Sequence, residues 1–175
     1  MRIGVYGGRF NPPHVGHAMV ASWLLWTQRV EEVWLVPAGS HPFDKALDPF
    51  EQRLALCEAM AGALDFRIKV SAVEGDLPTP NYTYNTLCHL RTTWRPHDFS
   101  LVIGSDVLEQ VHLWHRWEDI EAQFSPIVVG REGYPEGAAG PIFPGVSSSE
   151  IRERLSKGES VEGLVHASVL ALLHQ

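Results

Sequence analysis

His14 and His17, separated by Val15 and Gly16, close a segment that reads Tyr6-Gly7-Gly8-Arg9-Phe10-Asn11-Pro12-Pro13-His14-Val15-Gly16-His17. Two adjacent glycines let a polyphosphate approach the main chain closely, and a following helix presents unpaired N–H groups and a positive dipole end to an anion. The chemistry that suits this combination is phosphate binding. The chain has no G-x-x-x-x-G-K-S/T, and these glycines do not make G-x-G-x-x-G, so P-loop hydrolysis and dinucleotide-type hydride transfer lose their main support. Taken alone, the histidine pair reads more readily as capping or surface imidazoles, and as a metal half-site it lacks a third ligand at a supporting spacing. His112 and His115, three apart, are likewise read as loop residues, so no protein metal site is expected. Asp106, two residues beyond Gly104, could meet a ribose hydroxyl or could equally be an acid held by a helix N-terminus.

Such residues need a scaffold that gathers loop ends. Short apolar runs at residues 2–6, 32–36, 66–73, 99–103 and 126–129 alternate with longer helical patterns, the signature of β-α-β units and a parallel sheet buried on both faces. In open α/β sheets ligands bind at the carboxyl ends of strands, and the glycine pair directly follows the first run. Residues 18–29 then read as a helix. Asp48-Pro49-Phe50-Glu51 supplies an N-cap, a proline at the first helical position and an early acid for a helix running through Arg53, Leu56 and Met60 to Gly62. Further helices are expected over residues 81–94, stopped by Pro96, and over 165–174. Ser147, with Glu150 three residues on, fits a capping box for a helix that carries Arg152 in its first turn. Residues at offsets of four from Arg152 are Ser148 and Ser156, not acids, so a surface ion pair on its own helix has no partner there. Cys57 and Cys88 fall in helical stretches and read as reduced thiols; Trp23 and Trp26 read as core. The Gly/Pro-rich residues 133–145 are too few to separate two domains and read as a surface loop, leaving residues 1–175 as one domain.

The segment from Gly7 to His17 resembles the H-x-G-H signature of the nucleotidyltransferases, and Val146-Ser147-Ser148-Ser149-Glu150-Ile151-Arg152 resembles their I-S-S-T-x-I-R motif. Tyr82-Thr83-Tyr84-Asn85-Thr86-Leu87, Ile103-Gly104-Ser105-Asp106-Val107-Leu108 with Trp114-His115-Arg116-Trp117, and Val128-Val129-Gly130-Arg131-Glu132-Gly133-Tyr134 are similar to segments of bacterial nicotinate-nucleotide adenylyltransferases. The chain departs from that pattern at Arg9, Asn11, Glu132 and Ser149, and residues 38–45 keep a lysine without the usual P-P-H-K spelling. The resemblance implies an α/β Rossmann-like fold, an open, mainly parallel sheet of five to six strands with helices on both faces. It implies transfer of the adenylyl group of ATP to nicotinate mononucleotide, releasing pyrophosphate. His14, His17 and Arg152 would act on the phosphoryl groups as imidazolium and guanidinium donors. Gly7, Gly8, Arg9, Phe10, Lys45, Gly104, Asp106, Ser147 and Ser148 would hold ATP, with Ser148 as a hydroxyl donor. Thr83, Tyr84, Trp114, His115 and Arg131 would hold the mononucleotide, the indole against its ring. Backbone N–H donors at a helix start favour a carboxylate over a carboxamide, hence nicotinate over nicotinamide. Mg²⁺ is expected to arrive with ATP, keeping water and phosphate ligands.

Composition bounds the remaining readings. With 14 basic residues against 21 acidic ones, the chain carries a net charge of −7, and eleven arginines with three lysines make no broad basic surface for nucleic acid or an acidic membrane. No apolar stretch approaches the roughly 20 residues of a membrane span, and no signal-peptide pattern follows Met1, so a cytoplasmic location is the default expectation. The sequence is compatible with a homo-oligomer. Rival functions are a nicotinamide-mononucleotide-preferring or dual-specificity adenylyltransferase, a phosphopantetheine adenylyltransferase, in which Trp114 and Arg131 have no role, and a nucleotide-binding sensor without turnover.

Overall fold

The computed structural model describes residues 1–39, 47–134 and 140–174. Six strands, β1 (Arg2–Gly8), β2 (Glu32–Pro37), β3 (Ile68–Val70), β4 (Asp98–Gly104), β5 (Ile127–Arg131) and β6 (Ile142–Phe143), form one sheet in the order β3-β2-β1-β4-β5-β6. Among the described residues, these six strands pair with one another in parallel throughout. The chain builds outward from β1 to β3 and then crosses to β4, so β1 and β4 are neighbours whose following loops diverge. This is the switch point at which open α/β sheets bind ligands.

Alternation along the strands explains their apolar runs. Val33 and Leu35 face one buried cluster while Trp34 and Val36 face the other, and in β4 Val102 opposes Phe99, Leu101 and Ile103. Helices α1 (Val15–Trp26), α2 (Phe50–Gly62), α6 (Ser148–Ser156) and α7 (Ala167–Leu173) bring residues to the first cluster. Helices α4 (Thr83–Thr93) and α5 (Trp117–Phe124) bring residues to the second. A single turn, α3 (Val73–Asp76), precedes α4.

Several local expectations shift. Residues 66–73 yield only three strand residues, because β3 is an edge strand paired with β2 alone and Asp65 ties down the Arg67 backbone beforehand. Helix α1 starts three residues early, at Val15, whose N–H donates to the Leu164 carbonyl, and stops at Trp26. Trp26 therefore sits on the last turn, 87% exposed, whereas Trp23 packs half-buried against the core. Pro49 is the extended N-cap of α2 and not its first helical residue, and among the described residues no side chain caps that helix start. The stretch read as a surface loop at 133–145 supplies β6. Cys57 is buried and Cys88 partly so, both as free thiols.

Candidate active site

The loop leaving β1 is folded around its two histidines. The His14 backbone N–H donates to His17 Nδ1 at 3.1 Å, so the proton of a neutral His17 ring resides on Nε2. The two imidazoles lie nearly face to face, centroids 3.8 Å apart at 30°. A Cβ on Gly16 would come within 3.1 Å of the His14 ring, which explains the glycine between the histidines. Phe10, at φ 47°, turns its ring inward beneath His17, with centroids 4.8 Å apart. That residue is 1% exposed, so its ring forms a floor beneath the histidine loop, and what Phe10 can offer ATP is its main chain. A Cβ on Gly8 would press on the same ring, whereas one on Gly7 would meet no described residue.

Burial drives the His14 pKa down to about 4 and that of His17 well below its usual value, with the Arg131 charge acting in the same direction on both. Burial thus works against the imidazolium form, which the resemblance implies only against bound polyphosphate, and protonating His17 at Nδ1 would also break its hydrogen bond to the backbone. His14 Nδ1 and Asn11 Nδ2 are buried without a hydrogen-bond partner among the described residues.

The opening of α6 lies against this loop. Ser147 is the N-cap, its hydroxyl accepting from the Glu150 N–H at 3.1 Å. Ser148 donates its hydroxyl proton to the Pro12 carbonyl at 2.8 Å, and Arg152 donates from Nη1 to the Asn11 carbonyl at 2.6 Å. Ser148 therefore clamps the histidine loop, because its single hydroxyl proton is already donated and only the oxygen lone pairs remain. Arg152 keeps the rest of its fork at the same place, with Nη2 on the Ser149 hydroxyl at 3.3 Å.

Asp106, expected at ATP, and Arg131, expected at the mononucleotide, lie against each other. They form an ion pair at 2.5 Å across the ends of β4 and β5, and Arg131 also donates to the Val146 carbonyl, just before α6. Gly104 is required by this arrangement, since a Cβ there would overlap Oδ1 of Asp106. Tyr6 lies half-buried beside the pair, and desolvation first, then the Asp106 charge, holds its phenol protonated far above neutrality. Glu132, where the resemblance has proline, accepts from the Gly145 N–H at 3.0 Å and so fastens the approach to α6.

A second group of residues gathers at the start of α4. Tyr82 is its N-cap and provides no side-chain cap, leaving the Thr83 and Tyr84 amides in the first turn. The rings of Tyr82 and His115 lie 4.6 Å apart at 30°, and Trp114, half-buried, meets Trp117 edge-on at 5.9 Å. Arg9 is exposed on the β1 loop, and Lys45 lies outside the described residues.

Two residues that sequence reasoning missed organise these loops. Arg53 on α2 is 1% exposed and donates to three carbonyls: Asp48 at 3.0 Å, Arg9 at 2.9 Å and Ala38 at 2.6 Å. It thereby joins the loops after β1 and β2 to the start of its own helix. Glu74 accepts from the Gly39 N–H at 3.0 Å and from the Thr86 hydroxyl at 2.8 Å, tying the end of β2 to α4. A Cβ on Gly39 would collide with the Glu74 carbonyl. Neither residue stands in a motif; the only available signal was an arginine on the apolar face of a helix, at the i−3 position from Leu56.

Comparisons with known proteins agree with this architecture. Residues 5–154 match the family model described as cytidylyltransferase-like. A protein named as a probable nicotinate-nucleotide adenylyltransferase from Anaeromyxobacter sp. (strain K) is 45% identical over 99% of this chain and 94% of its own length. One of the same name from Myxococcus xanthus is 38% identical over 98% and 90%. Among solved structures, a Plasmodium falciparum nicotinic acid mononucleotide adenylyltransferase complexed with NaAD shares the fold with a TM-score of 0.77 and 18% identity, over 99% of this chain and 94% of that one. The chain belongs to the cytidylyltransferase-like family and, within it, to the nicotinate-nucleotide adenylyltransferases.

Proposed function

We propose that this protein joins ATP to nicotinate mononucleotide, forming nicotinate adenine dinucleotide and pyrophosphate, with His14, His17 and Arg152 at the reacting phosphates. The observation that carries this assignment is the contact between two motifs far apart in the sequence, in which Ser148 and Arg152 bond the carbonyls of Pro12 and Asn11 beside the histidine pair.

In the reaction a phosphate oxygen of the mononucleotide attacks the α-phosphorus of ATP. The new P–O bond forms as the bond from Pα to the β-phosphate bridging oxygen breaks, and that oxygen leaves with pyrophosphate. The attacking phosphate has a second pKa of about 6 and is mostly dianionic near neutral pH, so no general base is needed. The protein's task is to hold two anions together and to stabilise charge on the α-phosphoryl and leaving oxygens. His17 is suited to donate from Nε2 as a neutral ring, because Nδ1 is engaged with the backbone. His14 is the imidazole that can gain a proton when an anion arrives, since its Nδ1 has no described partner to lose. Arg152 adds a fixed charge and a planar fork, and Gly7 lets phosphate reach the β1 main chain.

The donors around the loop are imidazoles and guanidinium groups, which suit phosphate oxygens, and the nearby Asp106 carboxylate is paired with Arg131. Mg²⁺ is therefore assigned to the polyphosphate of ATP, where it would offset phosphate charge. On the mononucleotide side, the amides opening α4 would receive the ring carboxylate, and Trp114 and His115 would flank the ring. The test is to mix the protein with ATP, Mg²⁺ and nicotinate mononucleotide. Equal amounts of pyrophosphate and dinucleotide support the assignment, and ATP binding without either product contradicts it.

A further inference from the structure

The mononucleotide side of the site, on the reading proposed above, is made by two segments that are remote in sequence. One is the start of α4, and the other is residues 114–117, which lead into α5. Arg116 joins them. Its guanidinium carbon lies over the Tyr84 ring, 4.1 Å from the centroid, while its Nε is paired with Asp119 at 2.7 Å. Tyr84 is buried in the second core cluster on α4, so the ring that Arg116 grips is itself fixed. Alongside, His115 is stacked on Tyr82.

The backbone carries an independent sign of the same constraint. Arg116 is left-handed, at φ 58° and ψ 42°, a region that non-glycine residues enter infrequently and hold where their surroundings over-determine it. That conformation reverses the chain between Trp114 and α5. With the side chain anchored at both Tyr84 and Asp119, the turn is fixed in one orientation. Arg116 is exposed and Asp119 only partly covered, and contacts in such surroundings add little to global stability. Their effect is to set where one segment lies relative to another.

We infer that Arg116 is a positioning residue for the mononucleotide, latching residues 114–117 onto the first turn of α4 so that Trp114 and the α4 amides address the same ligand. It acts through its neighbours and needs no contact with substrate. Asp119 supports the latch by orienting the guanidinium.

The test uses Arg116→Asn, which tolerates the left-handed backbone but removes the cation, and Arg116→Lys, which keeps a cation for the Tyr84 face. Initial rates are measured with each substrate varied at saturating levels of the other, together with the melting temperature and amide hydrogen exchange at residues 82–87 and 111–117. Arg116→Asn is expected to raise KM for the mononucleotide roughly fivefold to tenfold. KM for ATP, kcat and the melting temperature stay within error, exchange quickens in both segments, and Arg116→Lys recovers part of the loss. Unchanged KM for the mononucleotide, or equal rises in both KM values with a lower melting temperature, overturns the inference. If the unsubstituted protein releases no pyrophosphate with any mononucleotide, the functional assignment fails instead, and hydrogen exchange still decides whether Arg116 joins the two segments.

Discussion

His14 and His17 are stacked closely enough that a proton on one opposes a proton on the other, and burial already disfavours charge on both. The unfolded chain takes up a proton on His14 near its ordinary pKa of 6.5, whereas the folded chain does so only near 4. Between these values the unfolded state binds more protons, so stability should fall as pH drops from about 6.5 towards about 4 and should be insensitive to this group above that window. Urea midpoints across pH 4–8 check this, and His14→Gln should flatten the acid limb; an unchanged limb would count against the burial argument. For His17, a neutral donor fixed by the backbone predicts that His17→Ala lowers kcat by about 100-fold or more while ATP still binds. Single-turnover rates with calorimetry of ATP binding test it, and near-normal turnover removes the charge-stabilising role. These histidines stood out in the sequence only through the H-x-G-H resemblance, since their spacing taken alone reads as capping or surface imidazoles. Their protonation was not legible there, because it depends on burial and on Arg131, more than a hundred residues away.

At the level of elements, the strands and most helices were legible where the signal is local: two-faced apolar runs for β1, β2 and β4, and the Ser147 cap for α6, whose bond to Glu150 is present. The elements that escaped depend on long-range pairing. β6 has two residues and exists by virtue of β5, and residues 66–73 contain a short strand only because β2 is beside them. Arg53 escaped for the same reason, since the carbonyls it serves come from three loops. Its loss would strand buried acceptors, each costing roughly 1–3 kcal/mol. Arg53→Met is therefore expected to destabilise the fold by about 3 kcal/mol in urea unfolding. Arg53→Lys should restore little, because a single ammonium lacks the fork that reaches three acceptors. A fully stable Arg53→Lys variant would show that the three bonds are not what holds these loops.

Taken as a whole, the molecule is an acidic chain of net charge −7 whose reaction brings two anions together. Its fold meets that demand locally. The crossover between β1 and β4 places the histidine loop next to the Asp106–Arg131 pair, and α6 returns from the far end of the sequence to close on the same loop. The start of α4, proposed above as the mononucleotide side, offers uncharged main-chain donors. Such donors at a helix N-terminus favour a carboxylate over a carboxamide, so the acid form of the pyridine mononucleotide should be preferred. The most direct measurement is pyrophosphate release with ATP and Mg²⁺ when nicotinate and nicotinamide mononucleotides are each made limiting. A kcat/KM for the nicotinate form at least about tenfold higher is the expected result, equivalent to roughly 1.4 kcal/mol in the transition state. A ratio favouring the nicotinamide form, or no pyrophosphate from either, would contradict it.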